Sequence, residues 1–115
     1  MKALNIQIFG ILKCFDTKKA QRYFKERNIK FQFVDLTEKE LSKRELESVE
    51  AAVGLANLIN KDAKDYERLN LSKIGSSTIK KEIVIKNPKL YKTPIVRNGK
   101  QATVGYEPEV WETWE

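Results

Sequence analysis

The residue best equipped for chemistry in this chain is Cys14, its single cysteine. It stands in the stretch IFGILKCFDTKKAQRYF, between a short apolar run and a helical pattern. The thiolate is the reactive form of cysteine, and a free thiol ionises near pH ~8.5. A helix starting at this point sets unpaired N–H groups and the positive end of the helix dipole beside the sulfur, which favours the anion. Lys13 precedes the cysteine and Lys18 and Lys19 follow it. Their charges act in the same direction, while Asp16 opposes them or caps the helix. The competing reading is that Cys14 is a small buried hydrophobe, as lone cysteines commonly are.

Histidine is absent. That removes Ser–His and Cys–His catalysis and nearly all zinc sites, so no metal is expected. Any nucleophile must be activated by the backbone or by Lys and Arg. One cysteine forms no internal disulfide, which fits a reducing cytoplasm. A catalytic cycle on one thiol also needs a second thiol from outside the chain.

The chain has 115 residues, a length that suits one domain over residues 1–115. Apolar residues make up 41% and charged residues 33%, the balance of a globular protein rather than a disordered or membrane one. No apolar run approaches the roughly 18 residues that suggest a membrane span. The opening MKALNIQIFGILKCFD lacks a small-residue cleavage site and runs into an amphipathic helix, so it is not read as a signal peptide. Net charge is +6, but the lysines are dispersed and KDAKDYERLNLSK and TEKELSKRELE alternate in sign. Such faces are ordinarily solvated, and direct nucleic-acid binding is not expected.

The elements that must position Cys14 follow from periodicity. Residues 5–9, NIQIF, alternate apolar and polar as a buried strand does, and Gly10 is expected to break it. Residues 15–27 read as a helix stopping at Asn28, and residues 30–35 as a second strand. A β-α-β unit of this length implies parallel strands with a right-handed crossover. Residues 42–53 read as a helix opened by a capping box, Ser42 with Glu45, and ended by Gly54. Residues 55–60, 63–69 and 77–86 read as short helices, the last including IVIK and closed by Asn87-Pro88. Residues 94–97 form a strand, Asn98-Gly99 marks a hairpin, and residues 102–104 return. Residues 107–114 end the chain as a helix that packs Trp111 back onto the sheet, with Trp114 as a terminal anchor.

This order, with GILKCFDTKKA, LINKDAKDYERLNL, NPKLYKTPIV and NGKQATVGYEPEVW in register, resembles the arsenate reductase (ArsC), Spx and YffB family over nearly the whole chain. The resemblance implies an α/β, thioredoxin-like fold: β-α-β, a helical insertion over about residues 40–90, then β-β-α, around a mixed four-stranded sheet. It implies that Cys14 is the active cysteine. Spx-type members carry a second cysteine where this chain has Thr17, so the likeness is to the single-cysteine branch. It further implies that Thr93-Pro94 is cis and lies against Cys14.

The family's arsenate-binding arginines have no counterpart at Thr93, Asn60 and Tyr106. An oxyanion needs paired planar donors, which Arg supplies and these residues do not. That weighs against arsenate as substrate. Arg97, three residues after Pro94, is read either as a replacement anion contact or as a solvated strand residue beside the turn. Asn60 and Lys61 either line the cleft or, for Asn60, cap a helix end. Tyr106 is expected to pack.

Two function classes remain. One is a thiol-dependent reductase with Cys14 as nucleophile and Lys13, Thr17, Lys18, Asn60, Thr93, Pro94 and Arg97 as supporting or substrate-binding residues. It holds no bound cofactor. Glutathione, another low-molecular-weight thiol or a glutaredoxin-type partner completes its cycle. The other is a non-catalytic Spx-like regulator binding RNA polymerase, or a degenerate member keeping only the fold. The absent C-x-x-C pair and a chain ending at Glu115 without a regulatory extension count against the regulator.

Overall fold

The computed structural model describes residues 4–114. Residues 1–3 of the opening stretch and residue 115 at the tail lie outside the described residues. β1 (Ile6–Gly10), α1 (Phe15–Glu26) and β2 (Phe31–Asp35) form the expected β-α-β unit, and the two strands pair in parallel. α2 (Lys43–Val53), α3 (Leu55–Leu58), α4 (Lys64–Arg68) and α5 (Ser77–Lys86) form the helical insertion. β3 (Ile95–Asn98), β4 (Gln101–Val104) and α6 (Pro108–Glu112) complete the chain. The sheet is four-stranded and mixed, in the order β2-β1-β3-β4, with β3 antiparallel to both of its neighbours. This is the thioredoxin-like arrangement.

β1 is central, and its alternation feeds two cores. Ile6 and Ile8 pack with Ala20, Tyr23 and Phe24 of α1, Val96, Trp111 and Trp114. Phe9 points the other way, into a cluster with Val34, Leu46, Val49, Val84 and Ile95 beneath the helical insertion. The sheet is therefore covered by α1 and α6 on one face and by the insertion on the other. A strand buried on both sides needs apolar residues at successive positions, which β1 and β3 supply.

Local signals set most boundaries. Ser42 Oγ accepts from the Glu45 N–H at 3.1 Å and Glu45 Oε1 accepts from the Ser42 N–H at 2.9 Å, so the capping box is formed. Asn28 ends α1 with a positive φ of 58°. Lys81 of α5 pairs with Glu50 of α2 at 2.6 Å, joining two helices of the insertion.

Three expectations need correction. Gly10 does not break β1; it is its last residue, paired with Asp35, because its carbonyl accepts from Leu36 N–H at 2.9 Å. The hairpin does not turn on Asn98-Gly99. Asn98 belongs to β3 and pairs with Gln101, so the turn residues are Gly99, at φ 60°, and Lys100. The helix expected over residues 55–60 stops at Leu58. Ile59 instead bridges Tyr91, and the Asn60 N–H donates to the Leu90 carbonyl at 2.7 Å. Short 3₁₀ turns at Leu71–Lys73 and Pro88–Leu90 were not anticipated.

Candidate functional site

Cys14 sits where β1 hands over to α1. The chain leaves Gly10 and turns tightly, with the Cys14 N–H donating to the Ile11 carbonyl at 2.9 Å. Cys14 is the N-cap of α1, with extended dihedrals (φ −79°, ψ 123°), and its carbonyl accepts the first helical bond from Lys18. Ser, Thr, Asp and Asn usually fill this position, because their oxygen accepts from the N–H groups of the next two or three residues. No side-chain cap is present in α1, so the Asp16 and Thr17 N–H groups are available to the sulfur. A thiolate would serve as the missing cap.

The sulfur is half-buried, not sealed in a core, which removes the simplest non-functional reading. As a thiol, Cys14 Sγ donates to the Thr93 carbonyl at 3.7 Å. The Thr93-Pro94 peptide bond is cis, as the family resemblance implied, and Pro94 is buried. Thr17 is completely buried, and its hydroxyl has no hydrogen-bond partner among the described residues. It lies one helical turn after Cys14 and faces the sulfur.

Burial pushes the Cys14 thiol up. Hydrogen bonds offered to the thiolate by the Thr17 hydroxyl, the Thr93 side chain and the N–H groups of Thr17 and Asp16 outweigh it, so the net direction is down. The bond to the Thr93 carbonyl favours the neutral thiol instead, but at 3.7 Å it is the weaker influence. Hydrogen bonds rather than lysine charges lead the shift. Lys18 Nζ lies 5.8 Å from the centre of the Phe15 ring and Lys19 Nζ 5.5 Å from that of Tyr106. Lys13 is exposed in the turn before the cysteine.

Other expected site residues lie elsewhere. The Arg97 guanidinium donates to Gln7 Oε1 and to the Gly99 carbonyl, each at 3.0 Å. Arg97 pairs with Gln7, so it lies toward the end of β1 remote from Cys14. It is the partly solvated strand residue, not an anion contact at the sulfur. Asn60 is not the cap of a helix end; its Oδ1 accepts from the Asp62 N–H at 3.0 Å and organises a turn before α4, whose N-cap is Ala63. Lys61 borders a separate hollow with Ala56, Tyr66 and Lys80. Tyr106 packs edge-on against Trp111 with ring centres 5.6 Å apart.

Two features of the site were not read from the sequence. Gly10 leaves the space that Thr17 occupies. Leu12 and Phe15, on either side of the cysteine, are exposed. The only available signal was an apolar residue on each flank of a cysteine in a lysine-rich turn.

No group of three or more His, Cys, Asp or Glu able to hold a metal occurs among the described residues. No helix there is long and apolar enough to cross a membrane.

Comparison with known proteins agrees with this fold. Residues 9–114 match the ArsC family. The global transcriptional regulator Spx 2 of Oceanobacillus iheyensis is 26% identical over 110 residues, covering 92% of this chain and 80% of the relative. Among solved structures, an arsenate reductase from Vibrio cholerae superposes with a TM-score of 0.88 at 23% identity, covering 99% of this chain and 100% of that one. A YFFB protein superposes with a TM-score of 0.82 at 22% identity, covering 95% and 97%. At these identities the structural likeness carries the fold alone.

Proposed function

The chain belongs to the ArsC family, and from that premise we propose that it is a thiol-dependent reductase with Cys14 as its nucleophile. The observation that carries this reading is the setting of the sulfur at the uncapped N-terminus of α1, beside a buried Thr17 hydroxyl with no other partner. Every one of those donors is better used by a thiolate than by a thiol.

The cycle has three exchanges. The Cys14 thiolate attacks one sulfur of a substrate disulfide. A Cys14 mixed disulfide forms, the substrate S–S bond breaks, and the departing sulfur leaves as a thiolate that takes a proton from water. A low-molecular-weight thiol such as glutathione, or a glutaredoxin-type partner, attacks the Cys14 sulfur and releases the second half of the substrate. A second equivalent of that thiol then frees Cys14. One disulfide is reduced and two external thiols are oxidised to another. Thr17, Thr93 and the two N–H groups hold the thiolate. Lys13 and Lys18 supply positive charge at the rim, and Pro94 forms part of the wall behind Thr93.

Arsenate is not the substrate this reading favours. Thr93, Asn60 and Tyr106 carry no guanidinium, and that of Arg97 is bound to Gln7 and Gly99. In this reading the chain acts as one domain in a reducing cytoplasm, without a resident cofactor.

The regulator reading, a non-catalytic partner of RNA polymerase, has the support of the likeness to Spx 2. It predicts binding to purified polymerase that survives Cys14→Ser.

The deciding experiment is the pH dependence of Cys14 alkylation by iodoacetamide, joined to turnover of a glutathione mixed disulfide with excess glutathione. The reductase reading expects an inflection below that of free cysteine and turnover that is lost in Cys14→Ser. An ordinary inflection with no turnover of any disulfide would overturn it.

A further inference from the structure

Leu12 is 55% exposed and Phe15 79% exposed, and they flank the half-buried Cys14 on its two sides. Single exposed apolar residues are common and mean little. Here two of them bracket the nucleophile. Phe15 is the first residue of α1 and lies outside both hydrophobic cores. Leu12, at the tip of the turn, is likewise absent from either core.

Leu12 is also one wall of a half-open groove of about 500 Å³. Ile11, from the same turn, and Pro88, from the 3₁₀ turn closing the insertion, provide further apolar lining. The groove is thus lined by the three residues that precede Cys14, while Cys14 and Phe15 themselves lie outside its lining.

The rim carries two ammonium groups and one carboxylate, a net positive charge. The carboxylate, Asp35, accepts from the Thr37 N–H at 2.9 Å and the Thr37 hydroxyl at 2.7 Å, which turns it toward its own loop. Lys13 and Lys89 also line it, are exposed, and form no ion pair among the described residues. An occupant that covers Leu12 and stays near both ammonium groups is apolar beside the reacting sulfur and acidic further along.

We infer that this surface docks a cysteine-bearing extended segment of another protein, with a large apolar residue next to its disulfide-bonded cysteine and an acidic residue within reach of Lys13 and Lys89. This rests on the thiol-exchange reading above and names its substrate class: a protein disulfide rather than a small-thiol adduct. A small adduct without a large apolar side chain would leave Leu12 and Phe15 in water, so it gains nothing from them. An apolar side chain laid in the groove removes hydrocarbon from water on both partners. The chemistry is one exchange: Cys14 thiolate joins the sulfur of the docked cysteine, and the sulfur formerly bonded to it departs as a thiolate.

The test uses short synthetic peptides, each with one cysteine carried as a mixed disulfide with thionitrobenzoate, whose release is coloured. One peptide has Leu beside the cysteine and Asp further on; the others replace Leu by Gly, or Asp by Lys. Oxidised glutathione serves as the small disulfide. The Leu–Asp peptide is expected to react about tenfold or more faster than the Gly form, the size that burying part of one apolar side chain confers. The ratio should fall toward one in the exposed-site variants Leu12→Ser and Phe15→Ser. The preference for Asp over Lys should fall in Lys13→Glu and with added salt. Equal rates for all peptides, with oxidised glutathione also reacting, would overturn the docking proposal and leave the thiol reading standing. Failure of every disulfide to react would overturn both.

Discussion

Gly10 and Thr17 are matched by size. A Cβ on Gly10 would lie 2.6 Å from both Cγ2 and Oγ1 of Thr17, closer than real atoms approach. The end of β1 and the first turn of α1 therefore meet at a point where only hydrogen fits on one side. Thr17, packed against Gly10 in this way, is also one of the residues whose hydrogen bonds lower the Cys14 thiol.

Gly10→Ala should accordingly cost about 1–3 kcal/mol, as overpacking of a filled core does. Urea denaturation measures it. Thr17→Ala in the same chain should recover most of that loss, since the clash needs both side chains. Two independent losses that simply add would show that the contact is not the cause.

Thr17→Val keeps the shape and removes the hydroxyl. The Cys14 thiol should ionise at higher pH, and alkylation near neutrality should slow several-fold, whereas Thr17→Ser should retain the fast reaction. Stability at acidic pH should hold or rise, because a buried hydroxyl without a partner costs about 1–3 kcal/mol when the sulfur is protonated. A Val variant that alkylates like the parent would remove Thr17 from the site.

Stability should depend on pH through Cys14. Its folded value is lowered, while in the unfolded chain it returns to about 8.5. Between the two, the native sulfur has lost a proton that the unfolded one keeps. Unfolding then takes up a proton, and stability rises with pH. The contribution is complete above the unfolded value and vanishes as pH falls through the folded one. Denaturation of the parent and of Cys14→Ser across this range should give curves that diverge as pH rises. Parallel curves would mean that the sulfur is not tuned.

In the core beneath α1, Trp111 Nε1 donates to Thr103 Oγ1 at 2.8 Å with both residues buried. Thr103→Val leaves the indole N–H without an acceptor and should cost about 1–3 kcal/mol, while Thr103→Ser should keep the bond. Denaturant midpoints compare the three, and the fluorescence of the tryptophans reports whether the packing around α6 has changed.

Sequence patterns close to their partners were readable. The Ser42–Glu45 box spans three positions, so its geometry follows from the helix alone. IVIK could pass for a strand, yet it continues the period begun at Ile79 and lies in α5. The hairpin was read one residue early. Asn98 is a favoured turn residue, but its Oδ1 accepts from the Asn5 N–H at 3.1 Å and its backbone keeps register with Ile6. A pairing 92 positions away, drawn from 98 and 6, overrode a local preference. Arg97 met the same limit: its guanidinium follows the register of β3 against β1, which proximity in sequence to Pro94 does not reveal.

By itself, then, the sequence determined the order of elements, the location of Cys14 at a strand-to-helix junction and the absence of a second cysteine to pair with it, because these follow from period, adjacency and the count of cysteines. The tertiary structure decided which neighbours tune the sulfur. Thr93 lies 79 positions from Cys14 in the chain and reaches it only because β3 packs beside β1. Thr17 acts on it only because Gly10 leaves room, and Leu12 and Phe15 became a candidate docking surface only once both cores had filled without them. Hydrogen bonds and burial act through space at a few ångströms, and a linear pattern does not measure that distance between remote residues.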